Sequence, residues 1–106
     1  MASTPLRRDK ITRAFAARVR KKIGPAKIIL FGSRARGDYF LYSDYDFIIV
    51  SDVFKNVHWL KRISSVLKEW DSDKPIDVLP YATDEFEKKS INSSTVREAV
   101  REGIEV

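Results

Sequence analysis

The chain has 106 residues, 43% of them apolar, with a formal net charge of +5 and no cysteine. That length suits a single compact core, and the lack of cysteine excludes a disulfide framework, a zinc finger and a thiol nucleophile. Apolar runs such as Phe47–Val50 are far shorter than the roughly 20 residues of a membrane span, and the opening MASTPLRRDK has no apolar signal core, so the expectation is a cytoplasmic domain without membrane contact.

Residues 1–6, small and polar with Pro5, read as an N-terminal tail before one domain over 7–106. Arg7–Ile23 is predicted helical, with Ile11, Phe15, Val19 and Ile23 at i+4 spacing as its apolar stripe. Gly24-Pro25 stops it, after basic residues that suit the C-terminal end of a helix dipole. Lys27–Phe31 follows as a short covered strand, and 32–37 breaks it, too rich in Arg and Gly for core. Asp44–Val50 is the second strand. Asn56–Trp70 returns to helical period, with Val57, Leu60, Ile63, Leu67 and Trp70 on one face and Trp59 and Val66 at its edge. Ile76–Tyr81 is a third strand. Thr83–Gly103 reads as two helices parted near Asn92-Ser93-Ser94, and Ile104–Val106 as a final edge strand. This order implies an α/β fold, a small mixed β-sheet flanked by helices.

The charge is segregated along that order. Residues 1–36 hold 11 Lys and Arg against one acid, Asp9, for a balance of +10, while 37–106 carry −5. Such a basic third suits nucleic acid, nucleotide phosphates or an acidic protein face, and it equally describes a solvated helix face.

The chemistry concentrates in FGSRARGDYFLYSDYDFIIV, residues 31–50. Side chains at i and i+2 of a strand share a face, so Asp44 and Asp46 point the same way, followed by Ile48 and Val50. Two adjacent carboxylates repel, which raises the pKa of one unless a cation lies between them. A hard divalent ion such as Mg²⁺ resolves the conflict, because it takes carboxylate oxygen and keeps waters for substrate phosphates. The other reading of the pair is solvated acids opening a strand. Asp77 interrupts the apolar strand 76–79, and beside the Asp44–Asp46 strand it completes a three-carboxylate cluster able to serve two metal ions; alternatively it faces solvent. Gly32 permits close backbone approach, Ser33 adds a hydroxyl, and Arg34 and Arg36 offer planar charged forks to phosphate.

Gly32-Ser33, a ten-residue gap, Asp44-Tyr45-Asp46 and a later Asp77 together resemble the nucleotidyltransferase superfamily of DNA polymerase beta. Over 10–106 the chain is similar to its minimal nucleotidyltransferases, through the GSRARG segment, the Ser before Asp44, the acidic-aromatic stretch Asp84-Glu85-Phe86-Glu87 and the closing pair Ala99 and Gly103. The resemblance implies a polymerase beta palm-like fold and Mg²⁺-dependent transfer of a nucleoside monophosphate, AMP from ATP by expectation, to a hydroxyl. It implies that Asp44 and Asp46 bind both of two Mg²⁺ ions and that Asp77 binds the catalytic one and helps activate the acceptor hydroxyl. Gly32, Ser33 and, more weakly, Arg36 would hold the β- and γ-phosphates.

A chain this short leaves little room for acceptor recognition, and minimal nucleotidyltransferases are similar to the antitoxin half of toxin–antitoxin pairs. The leading expectation is therefore an antitoxin that adenylylates a helical HEPN ribonuclease toxin, in a hetero- or homo-oligomer. The alternatives are an antitoxin that masks its partner by binding alone, and a standalone nucleotidyltransferase acting on a small molecule or RNA. His58, the lone histidine, reads as a surface or helix-end residue, Trp59 and Trp70 as core or interface, and Tyr39–Tyr42 as either packing beneath the site or a contact surface.

Overall fold

In the computed structural model, residues 9–41 and 43–106 are described. The predicted tail 1–6, the predicted helix start at Arg7 and the side chain of Tyr42 lie outside them. Helix α1 (Lys10–Ile23) is capped by Asp9, whose carboxylate accepts from the Ile11 and Thr12 amides at 2.8 and 3.2 Å. It ends at Gly24, in the positive-φ conformation (φ 87°) that glycine adopts without a Cβ penalty. Strand β1 (Lys27–Phe31), the one-turn helix α2 (Ser33–Arg36) and strand β2 (Tyr45–Val50) follow. A 3₁₀ turn (Asp52–Phe54) leads to α3 (Trp59–Leu67), then β3 (Ile76–Tyr81), α4 (Thr83–Asn92), α5 (Ser94–Glu102) and β4 (Ile104–Glu105).

The mixed sheet runs β3-β2-β1-β4. β1 is antiparallel to both β2 and β4, and β2 is parallel to β3, so the crossover through α3 is obligatory. Period-two alternation divides the side chains of β2 between two cores. Tyr45, Phe47 and Ile49 pack against Phe15, Ala16 and Val19 of α1 and Val66 of α3, while Ile48 and Val50 pack against Tyr81 and against Val96 and Ala99 of α5. The predicted α1 stripe is the buried one, with Phe15 and Val19 at its centre. Gly103 lets α5 turn tightly into β4: a Cβ there would lie 2.4 Å from the Ala99 carbonyl and 2.5 Å from Ile29 Cγ2.

Two expectations change. α3 is shorter than Asn56–Trp70, and its buried line runs through Arg62 and Val66, leaving Leu60 67% and Leu67 38% exposed. The helix is rotated toward Arg62 because that guanidinium gathers the Val57 and Pro80 carbonyls and the Glu85 carboxylate. The segment 32–37 is also not wholly surface: Arg34 and Ala35 are buried. His58 is the N-cap of α3, with Nδ1 accepting from the Leu60 amide, and Trp70 joins the α1-side core.

Candidate active site

The acids meet at one end of the sheet. Asp46 is the second residue of β2 and lies directly across from Asp77 of β3, in a parallel register with strands about 4.8 Å apart. On its other side Asp46 pairs with Phe31, the last residue of β1, so the chain turns into Gly32 beside it. Asp44 is exposed, one residue before β2 begins, a step short of the predicted strand start. Asp77 is exposed as well, which makes an acid in an otherwise apolar strand inexpensive.

Gly32 has φ 75° and ψ −159°, a region essentially reserved for glycine. A Cβ there would fall 2.4 Å from Asp46 Oδ2, so the carboxylate oxygen fills the place a side chain at 32 would need. Beyond it the chain makes the single turn of α2, in which the Ala35 and Arg36 amides return to the Gly32 carbonyl. The amides at the start of such a turn have no partner within it, and half-buried Ser33 stands at that start.

The electrostatics agree with this crowding. The Asp46 carboxyl is pushed up from 3.8 to about 6, first by burial and then by the charges of Asp44 and Asp77, while Arg36 draws it down. Arg36 is half-exposed and bonds the carboxylates of Asp38 and Glu102, each at 3.3 Å. It borders an open cleft of about 510 Å³ lined by Phe31, Gly32, Ser94, Thr95 and Glu98.

Arg34 behaves differently from the expectation for it. It is 4% exposed, donates to the Leu41 carbonyl at 2.9 Å and the Ser43 carbonyl at 3.2 Å, and lies over the rings of Tyr39 and Tyr45 at 4.3 and 4.4 Å. It is therefore not a free fork for phosphate. A sequence cannot separate a buried arginine from an exposed one two residues away.

The donor set fits a hard divalent cation in kind: carboxylate oxygens on one sheet end, mutually repelling, with Asp46 Oδ2 lying where a Cβ on residue 32 would stand. Among the described residues no three acids or imidazoles converge into a ready-made cage. The shortfall is what a Mg²⁺ site tolerates, since that ion completes its shell with water and substrate phosphate oxygens.

The model of the nucleotidyltransferase domain family matches residues 12–105. A solved structure from Sulfolobus solfataricus, provisionally described as a nucleotidyltransferase, superposes with a TM-score of 0.57 at 21% identity, covering 98% of this chain and 78% of the other. At that identity it speaks to the fold. A second structure with the same provisional description reaches a TM-score of 0.55 at 28% identity, covering 74% of this chain and 86% of its own. The curated proteins contain no significant match.

Proposed function

The chain belongs to the nucleotidyltransferase domain family, and from that premise we propose that it transfers AMP from ATP to a hydroxyl group on a partner protein. The hydroxyl gives up its proton toward the Asp77 carboxylate as its oxygen bonds to the α-phosphorus, the bond from that phosphorus to the bridging oxygen breaks, and pyrophosphate leaves with the displaced charge. The observation that carries this reading is the alignment of Asp46 with Asp77, with Gly32 pressed against Asp46. Asp44, Asp46 and Asp77 would hold two Mg²⁺ ions, whose contribution when bound is to neutralise charge on the phosphates. Asp77 faces the acceptor hydroxyl in this scheme. Gly32 and Ser33 receive the β- and γ-phosphates, with Arg36 exchanging a carboxylate for a phosphate oxygen. Most of the rate gain then comes from positioning and charge neutralisation.

A protein acceptor is supported by the segment just before Asp44. Phe40 is 82% exposed and Leu41 63%, an apolar rim beside the acids that a small or purely ionic acceptor would not need. Our specific proposal is a HEPN-type toxin as acceptor, with this chain as its antitoxin. Incubation with α-labelled ATP, Mg²⁺ and that toxin should label the toxin and block its RNA cleavage, and Asp44→Ala or Asp46→Ala should abolish both. Equal neutralisation by those variants would replace transfer with masking. Label entering RNA in place of protein would identify a standalone RNA nucleotidyltransferase.

A further inference from the structure

We infer that Arg34 is a positioning residue that fixes the spacing between the phosphate turn and Asp44, and thereby sets how tightly the carboxylates gather a divalent cation. The inference rests on the metal site proposed above. Arg34 follows Ser33 in the chain, and its guanidinium reaches across to the Ser43 carbonyl through both Nε and Nη2, at 3.3 and 3.2 Å. That carbonyl belongs to the peptide whose amide is Asp44's own. A third bond, to the Leu41 carbonyl at 2.9 Å, holds the preceding residues of the same segment.

Arg34 is 4% exposed as a residue, yet its guanidinium pairs with no carboxylate among the described residues. Burying a charge that way is costly, and the cost is offset here by three carbonyl bonds and two ring faces. Tyr39 lies at 4.3 Å on the segment itself, and Tyr45 at 4.4 Å on β2. Tyr45 is in turn held by its hydroxyl donating to Asp9 at 2.9 Å, the residue that caps α1. One planar fork thus links the turn carrying Ser33, the peptide carrying Asp44 and the strand carrying Asp46.

Among the described residues, the other ties on this segment are local. The Phe40 amide donates to Ser43 Oγ, the Ser43 amide to the Phe40 carbonyl, and Arg36 bonds Asp38. None of these connects it to the core. A lysine would keep the charge and could still reach a carbonyl, but it has no second nitrogen to share the Ser43 oxygen and no planar face to lie between two rings.

The test is Mn²⁺ binding to the full chain without nucleotide, followed by electron paramagnetic resonance, with circular dichroism and thermal melting alongside. Arg34→Lys should weaken Mn²⁺ binding about tenfold, as loss of a residue that orients metal ligands does. In Arg34→Ala, added ethylguanidinium should restore binding. Tyr39→Leu, which removes only the exposed ring, should weaken it about twofold and serves as the second reading should Arg34 variants not fold. Unchanged Mn²⁺ affinity in whichever of these variants is folded overturns the inference and makes Arg34 a loop anchor only. The proposed activity fails separately: a wild-type protein that binds Mn²⁺ through Asp46 but transfers no label refutes the transfer alone. Absence of Mn²⁺ binding in the wild type refutes the metal site and this inference together.

Discussion

Gly32 and Asp46 occupy each other's space: the position a Cβ would take on residue 32 is 2.4 Å from Asp46 Oδ2 and 3.3 Å from its Cγ. With φ at 75° the backbone is also one that other residues rarely adopt. Gly32→Ala should destabilise the protein by about 2 kcal/mol and reduce nucleotidyl transfer at least as severely as loss of Asp46 does. In an Asp46→Ala background the steric part disappears and only the φ penalty remains. A double-mutant cycle by urea denaturation separates the two, and a strictly additive result would show that the contact is not made.

The raised Asp46 carboxyl has a consequence for stability. Unfolded, it ionises near 3.8; folded, at about 6, mainly because burial and then Asp44 and Asp77 disfavour its charge. The proton is held more tightly in the folded state, so its stabilising effect is complete below about 4 and lost as pH rises through 6. Asp46→Asn removes that dependence. In metal-free buffer at pH 8 it should exceed wild type by on the order of 1 kcal/mol, the full shift being discounted because the group is half-exposed. The two proteins should converge near pH 4. Urea denaturation at both pH values with a chelator present measures this.

Arg62 and Glu85 form a bidentate pair, 2.6 and 3.0 Å, that joins α3 to the start of α4. Glu85 also accepts from the Ala82 amide at 2.9 Å. The Arg62 hydrogen bonds first, and the Ala82 amide second, hold its carboxyl down from 4.5 to about 2. Stability from this group is therefore present above 4.5 and lost as pH falls toward 2. Arg62→Ala should cost roughly 2–3 kcal/mol, because the Val57 and Pro80 carbonyls and Glu85 lose their shared donor. It should also flatten the acid limb of a thermal melting series between pH 2 and 5.

The rotation of α3 makes Leu60 and Val66 opposites. Leu60 is 67% exposed and Val66 1%. Leu60→Gln should change the free energy of unfolding by less than about 0.5 kcal/mol, whereas Val66→Ala should cost about 2 kcal/mol through the cavity it opens. Parallel chemical denaturation of the two variants checks this. The reverse order would restore the face that apolar spacing alone suggests.

Much of the fold was legible in the linear order. The apolar period of α1 and the alternation through Asp46-Phe47-Ile48 are local properties, dictated by helix and strand geometry. They placed the strands within one residue at each end, while the nucleotidyltransferase reading came from the motif's resemblance to that superfamily, which the family match bears out. The α3 face was legible only in part, since Ile63 and Trp70 pack on the core as predicted while Leu60 and Leu67 do not. The fate of Arg34 was not legible, because each depends on partners outside its own local period. Arg62 faces inward for Pro80 and Glu85, and Arg34 for carbonyls seven and nine residues on and for the ring of Tyr45.

The sequence by itself determined which acids exist, which face of their strand they share and which glycine stands near them. Only the tertiary structure decided that β3 lies parallel beside β2 with Asp77 level with Asp46, that Arg36 stays half-exposed, and that Arg34 is buried to brace the carboxylate segment. The reason is physical. Periodicity is set by each residue's neighbours along the chain, whereas strand pairing and the burial of a charge depend on desolvation and hydrogen bonds that arise only when distant segments meet.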